Sequence, residues 1–129
     1  MSNWINGVHH IALKPTPAQY KKVVDLYTNV LGMEVKKSWG GPEMPCLMVS
    51  CGDNSCLEII PNDTQAPKGG VLDHLALACD KVDEVIERVR EAGYEIAIEP
   101  KDMELGGSPI RIAFFWGPMG EYLELFWEK

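Results

Sequence analysis

The sequence has no long apolar segment and little positive charge. No apolar run approaches the roughly 18 residues of a membrane-spanning helix. The first ten residues, MSNWINGVHH, lack the basic segment and apolar stretch of an export signal. Lysine and arginine number 12 against 19 acidic residues, a net charge of −7, which argues against nucleic acid or an anionic membrane as the main partner. We therefore expect a cytoplasmic protein that binds neither nucleic acid nor membrane.

The sequence also lacks the common motifs of catalysis and metal binding. The first three of its four cysteines, Cys46, Cys51 and Cys56, are spaced by five residues, which is not the CxxC spacing of a zinc site. No Ser-His-Asp or Cys-His order stands out. The glycines of KDMELGGSP do not lead from a strand into a helix, as a phosphate-binding loop requires. Any chemistry must therefore come from residues that the fold brings together.

The sequence does contain a repeated pattern of a strand followed by a helix. In the first half, VHHIAL at Val8–Leu13 is typical of a strand, and Thr16-Pro17-Ala18-Gln19 predicts a helix start with a capping box. In the second half, LDHLALA at Leu72–Ala78 repeats the strand, and Asp80 is predicted to cap the next helix. A glycine follows each helical pattern and predicts its end.

Three short strands are predicted after each helix. Their ranges are Met33–Lys37, Cys46–Ser50 and Cys56–Ile60 in the first half, and Tyr94–Ile98, Ile110–Trp116 and Tyr122–Trp127 in the second. Residues 61–70 are predicted to be a linker and residues 101–109 a loop. The order predicts an α+β fold in which two βαβββ modules form a curved mixed sheet. We expect one domain over residues 1–129, with modules at about 5–62 and 70–129.

Strand alternation assigns four polar side chains to the sheet face away from the helices. In VHHIAL the apolar Ile11 and Leu13 suit the helix side, so His10 projects from the opposite face. The same reasoning applies to His74 in the second half and to one glutamate in each half, Glu58 and Glu124. The histidines are 64 residues apart and the glutamates 66, so they occupy matching positions of the repeat.

Two imidazoles and two carboxylates on one face would make a mixed nitrogen and oxygen site for a divalent first-row metal. Nickel, zinc, cobalt, manganese and iron all remain possible, and nickel and zinc are the first to test. The competing interpretation is that each side chain is an ordinary solvent-facing polar group on an amphipathic strand.

His9 is expected to be structural. In the strand that contains Phe114, Phe115 and Trp116, one face is core and the other could contact a substrate.

With these residues in view, the chain resembles the glyoxalase fold of the vicinal oxygen chelate superfamily, and in particular short bacterial glyoxalase I-like proteins. The similar segments run from about residue 7 to residue 128: HIAL, LYTNVLGMEV, LEIIPN, DHLALACD, IERVREAGYEI and GPMGEYLELF. The resemblance places the four metal ligands of that family on His10, Glu58, His74 and Glu124. It also implies a homodimer in which modules pair around one metal per site.

The resemblance further implies a reaction. In such enzymes the hemithioacetal of a 2-oxoaldehyde, usually methylglyoxal, with glutathione becomes a 2-hydroxyacid thioester. By analogy Glu124 is the first choice for the base that removes the proton next to the carbonyl, and Glu58 is its symmetric counterpart. Two thiol-binding positions of the family fall on Lys14, where the family has arginine, and on Asn62. Lysine keeps the charge but loses the bidentate fork of arginine.

Two other functions are compatible with the same residues. One is an acyl-CoA epimerase of the methylmalonyl-CoA type, which would use the same four ligands and two bases. The other is a non-enzymatic protein that binds a small molecule or an antibiotic, as some proteins of this fold do. Such binding proteins typically lack the metal ligands, so the presence of all four favours an enzyme.

Overall fold

A computed structural model describes residues 4–30, 32–61, 72–117 and 122–129. The chain forms two compact units. The first unit comprises residues 10–73, and the second comprises residues 74–129 together with the N-terminal segment that precedes His10. The chain therefore passes between the units within its first strand and again within its fifth. The prediction of one domain over residues 1–129 stays a prediction.

The first unit follows the predicted order of strand, helix and three strands. Its elements are β1 (Val8–Leu13), α1 (Pro17–Asp25), a π-helical turn (Leu26–Val30), β2 (Val35–Trp39), β3 (Cys46–Ser50) and β4 (Cys56–Ile59). Strand β4 pairs in parallel with β1 and antiparallel with β3, which pairs antiparallel with β2. The N–H of Thr16 donates to Oε1 of Gln19 at 3.1 Å, which confirms the predicted helix start.

The second unit repeats this arrangement. Its elements are β5 (Leu72–Ala78), α2 (Val82–Glu91), β6 (Ile96–Leu105), β7 (Ser108–Trp116) and β8 (Tyr122–Glu128). Strand β8 pairs in parallel with β5 and antiparallel with β7, which pairs antiparallel with β6. Gly93, with φ of 96°, follows α2 in the left-handed conformation that glycine tolerates, as predicted.

Two local predictions in the second half are wrong. The residue at the start of α2 is Lys81, not Asp80, because the helix begins one residue later than predicted. Residues 101–109 are not a loop: β6 continues to Leu105 and pairs with β7, and the hairpin turns at Gly106-Gly107. The polar composition of this hairpin is explained by its exposure, because β6 pairs with β7 alone and forms an edge of the sheet.

The predicted fold class is nevertheless confirmed. Each half of the described chain has one α-helix and four strands in the order βαβββ, and the sheet is mixed because each half contributes one parallel pair. In the part of the chain that the structure describes, neither helix is long and apolar enough to cross a membrane.

Each helix packs on the predicted face of its sheet. In the first unit Tyr20 of α1 lies in one buried cluster with Leu47, Val49 and Ile59. In the second unit the residues of α2 cluster with others that include Leu125, which occupies the position equivalent to Ile59. Because side chains alternate along a strand, Glu58 and Glu124 project from the faces away from the helices.

Interactions outside the sheet attach the N-terminal segment to the second unit. The N–H of Asn6 donates to the carbonyl of Ala78 at 2.8 Å, and the guanidinium of Arg88 lies 3.7 Å from the centre of the Trp4 ring. Nearby, Arg111 donates two hydrogen bonds to Asp83 on α2, and they lower the pKa of that carboxyl. These contacts fix α2 and the segment before β1 against the sheet.

Candidate metal site

The first unit brings a predicted histidine and glutamate together. Nε2 of His10 lies 3.1 Å from Oε1 of Glu58, and both side chains are buried, with 1 % and 6 % of their residue surfaces exposed. The two residues come from neighbouring parallel strands. Ala12 pairs with Glu58 in the register, so the glutamate lies two residues along from His10 on the same face.

The second unit contains the same arrangement. Nε2 of His74 lies 3.1 Å from Oε1 of Glu124, and these residues are 9 % and 5 % exposed. Ala76, two residues after the histidine, pairs with Glu124 in the parallel register of β5 and β8. Ala12 and Ala76 are both fully buried. The two halves therefore present the same pair of donors in the same local geometry.

Sulfur-containing side chains surround the pair of the first unit. Met48 is opposite Glu58 in the register of β3 and β4, and Cys56 is opposite His10 in the register of β1 and β4. Burial, with a further contribution from the negative charge of Glu58, raises the pKa of the Cys46 thiol. We define Met48, Cys46 and Cys56 as the sulfur set. At neutral pH a raised pKa keeps Cys46 protonated and weakly nucleophilic.

Aromatic side chains surround the pair of the second unit. Phe114 and Tyr122 lie edge-on to the His74 ring, with centroid distances of 5.3 and 6.5 Å. Tyr122 in turn stacks between Phe114 and Trp116, at 4.7 and 4.3 Å. We define Phe114, Trp116 and Tyr122 as the aromatic set. The sequence indicated an alternating aromatic strand, but the contribution of Tyr122 depends on the pairing of β7 with β8.

His9 lies in a different environment from its neighbour His10. Its Nε2 atom lies 3.1 Å from Oε1 of Glu128, and its ring centroid is 4.0 Å from that of Phe126. Both partners belong to the end of β8. These contacts join His9 to β8, and its structural role stays a prediction.

The structure gives less information on the two predicted thiol-binding residues, Lys14 and Asn62, than on the proposed metal ligands. The ammonium group of Lys14 lies 3.6 Å from a carboxylate oxygen of Asp73, both within the first unit. Asn62 lies outside the described residues. The assignment of Lys14 and Asn62 to substrate binding stays a prediction.

The chemistry of the donors fits a divalent metal ion. Each unit offers one imidazole nitrogen and one carboxylate oxygen, both buried and on adjacent strands, and such mixed donors suit first-row divalent ions. An alanine, the smallest side chain after glycine, lies beside the glutamate of each pair in the register. Without a metal the same pairs would be buried ion pairs. Such pairs often contribute little to the free energy of folding, so stability alone does not explain their presence in both units.

Comparison with known proteins assigns the chain to a family. Residues 7–125 match the Glyoxalase/Bleomycin resistance protein/Dioxygenase superfamily. The chain belongs to this superfamily. The lactoylglutathione lyase of Salmonella typhimurium is 30 % identical over 116 residues, covering 84 % of each chain. The lactoylglutathione lyase of Neisseria meningitidis serogroup A is 31 % identical over 116 residues, covering 84 % of this chain and 83 % of the relative.

Solved structures of other proteins share the fold of this chain. Methylmalonyl-CoA epimerase from Mycobacterium tuberculosis has a TM-score of 0.77 and 17 % identity, covering all of this chain and 92 % of the epimerase. A hypothetical protein from Bacillus halodurans has a TM-score of 0.74 and 21 % identity, covering 95 % and 94 %. At these identities the likeness concerns the fold alone. The predicted resemblance to glyoxalase-fold proteins is thus confirmed.

Proposed function

We propose that this protein is a metal-dependent enzyme of the glyoxalase I type, which converts the hemithioacetal of a 2-oxoaldehyde and a thiol into a 2-hydroxyacid thioester. The observation that carries the proposal is the buried pair of histidine and glutamate, 3.1 Å apart and present once in each unit. Relatives about 30 % identical are lactoylglutathione lyases, which supports this reaction over others of the superfamily.

The proposal assigns four ligands to one divalent metal ion: His10, Glu58, His74 and Glu124. When bound, the ion would supply Lewis-acid stabilisation of the negative charge that develops on the substrate oxygens. The two pairs could come from one chain or from two chains of a homodimer. Both arrangements predict one ion per chain, and a protein that binds this ion as a monomer would require the single-chain arrangement.

The carboxylates would do the proton transfer. Glu124 is proposed to remove the proton from the hemithioacetal carbon next to the carbonyl, and the former carbonyl carbon is then protonated. Glu58, in the equivalent position, is proposed to return or shuttle that proton. Both carboxylates are buried, with 5 % and 6 % of their residue surfaces exposed, which would keep bulk water away from the proton transfer.

A second candidate function is epimerisation of an acyl-CoA thioester. One observation favours it: Lys14 occupies the position of the thiol-binding arginine of glyoxalase I. A lysine binds phosphate as a point charge but cannot form the two parallel bonds of an arginine to a carboxylate. The coenzyme A thioester carries phosphates, whereas glutathione carries carboxylates. The two candidates share the proposed metal ligands and differ in substrate.

The test of the metal site is a titration of metal-stripped protein with nickel and zinc, read as ions bound per chain. We expect about one tightly bound ion per chain. Glu124→Gln should weaken binding by more than about 100-fold, since changes outside the ligand shell already cost 10–100-fold. His9→Gln is the matched control and should bind as the unchanged protein does. Absence of stoichiometric binding would contradict the enzyme proposal and favour a small-molecule binding protein.

The test of the reaction uses the metal-loaded protein with two substrates. Turnover of the hemithioacetal of methylglyoxal and glutathione would support the glyoxalase I function. Racemisation of methylmalonyl-CoA without added glutathione would instead support the epimerase. A protein that binds metal but converts neither substrate would contradict both reactions while leaving the metal site intact.

A further inference from the structure

A cavity of about 460 Å³ that is open to solvent lies beside α1 in the first unit, separate from the histidine–glutamate pair. Its apolar lining includes Leu13, Val23, Leu26 and Tyr27. Leu13 projects from the face of β1 opposite to His10, because their positions differ by an odd number of residues. The volume is within the range of about 300–1,000 Å³ that is typical of small-molecule sites.

Two lysines give this apolar cavity a positive charge. Lys14 and Lys22 both line it, and among residues 4–30, 32–61, 72–117 and 122–129 no acidic residue lines it. The ammonium group of Lys14 is 3.6 Å from a carboxylate oxygen of Asp73, and this partly buried ion pair offsets part of the charge of Lys14. Lys22 belongs to the last turn of α1. Two cations beside an apolar cavity, in a chain with a net charge of −7, favour a ligand that is itself negatively charged.

The π-helical turn at Leu26–Val30 shapes one side of the cavity. Its first two residues, Leu26 and Tyr27, line the cavity, and Leu26 has 43 % of its surface exposed. Turns of this type are rare and often occur at functional sites. An exposed leucine at the wall of a cavity is apolar surface that a ligand could remove from water. The turn therefore indicates that the ligand has an apolar body.

We infer that this cavity binds a small organic anion with an apolar body, such as a medium-chain carboxylate. The anionic group would lie near the two lysines, and the apolar body would contact Leu13, Val23, Leu26 and Tyr27. Lys14 is shared with the proposed substrate-binding position, but neither histidine–glutamate pair lines the cavity, so the test is placed on Lys22.

The test compares octanoate with 1-octanol, which has the same apolar body and no charge, by isothermal titration calorimetry. We expect octanoate to bind more tightly than octanol. Lys22→Glu replaces an attraction by a repulsion and should weaken octanoate binding about tenfold, with little effect on octanol. The matched control is Lys21→Glu, because Lys21 is exposed and does not line the cavity. This control should change octanoate binding less than twofold.

A second variant, Ala18→Trp, fills the cavity from α1 without changing the charge and should abolish binding of both probes. Circular dichroism and the metal stoichiometry of each variant show that it is folded. Equal effects of Lys21→Glu and Lys22→Glu, or no octanoate binding at all, would overturn the inference. Dissociation of a dimer by Ala18→Trp, seen by analytical ultracentrifugation without octanoate binding, would show instead that a second copy covers the cavity.

Discussion

The two units hold the same pair of donors in different surroundings. In the first unit the sulfur set borders the pair of His10 and Glu58, whereas in the second the aromatic set borders His74 and Glu124. The registers make the comparison direct. Met48 is opposite Glu58, and Phe114 is opposite Glu124, so these two residues occupy equivalent positions.

The comparison separates the residues that position the donors, which both units share, from the neighbouring residues, which differ. Both units keep a histidine, an alanine two residues later and a glutamate opposite that alanine. The neighbouring side chains differ in size, rigidity and polarity. A flexible thioether adapts to what lies beside it, whereas stacked rings pack in fewer arrangements. We therefore expect His74 to be held more rigidly than His10, and the two glutamates to contribute unequally to catalysis.

The largest expected effect separates the two glutamates. Under the proposed function, Glu124→Gln removes the principal base and should lower kcat by about 10²–10⁴-fold. Glu58→Gln should have a smaller effect. The measurement is turnover of the hemithioacetal, corrected for the metal bound by each variant. Glu128→Gln is the control, because its carboxylate contacts His9. A larger loss in Glu58→Gln would reverse the assignment of the bases.

The next largest expected effect is a loss of stability when the core of either unit is truncated at equivalent positions. Ile59 and Leu125 are 0 % and 1 % exposed, and each packs under the helix of its unit. Substitution of either by alanine should lower the free energy of unfolding by about 2–5 kcal/mol, through lost burial and a cavity. Urea denaturation followed by circular dichroism measures this loss.

The same denaturation curves show whether the units unfold together. A single transition whose midpoint falls equally in Ile59→Ala and Leu125→Ala would indicate that the units unfold together. Two transitions, with each variant lowering the midpoint of only one, would indicate that the units unfold separately. The control is Leu72→Ala, since Leu72 is 57 % exposed and should cost less than about 0.5 kcal/mol. A cost for Leu72→Ala as large as those of the core variants would contradict the assignment of the cores.

The smallest effect concerns the neighbours of the histidines. Phe114→Leu removes the edge-on contact with His74 and the stacking on Tyr122, and each such aromatic contact contributes about 0.5–1.5 kcal/mol. We expect it to lower the free energy of unfolding about 1 kcal/mol more than Met48→Leu, a substitution that conserves volume. The nitrogen NMR chemical shifts of the His74 ring should also change in Phe114→Leu. Equal costs of the two variants would contradict the proposed difference in rigidity.

Much of the fold could be predicted from the sequence because its signals are local. Thr16 and Gln19 form the start of α1 within one turn, and alternation in VHHIAL needs only neighbouring residues. The π-helical turn was not predicted, because the apolar spacing of Leu26–Val30 also suits an ordinary α-helix. The length of β6 was not predicted either, since its polar residues form a strand through pairing with β7.

The sequence by itself determined the order of the elements and the faces of the four donors. Strand alternation places His10, Glu58, His74 and Glu124 away from the helices whatever the strands pair with. Only the tertiary structure decided that His10 lies beside Glu58 and His74 beside Glu124, each at 3.1 Å. The physical reason is that these contacts depend on parallel registers between distant segments, which no local pattern specifies. The sulfur and aromatic sets and the cavity beside α1 likewise depend on how the elements pack.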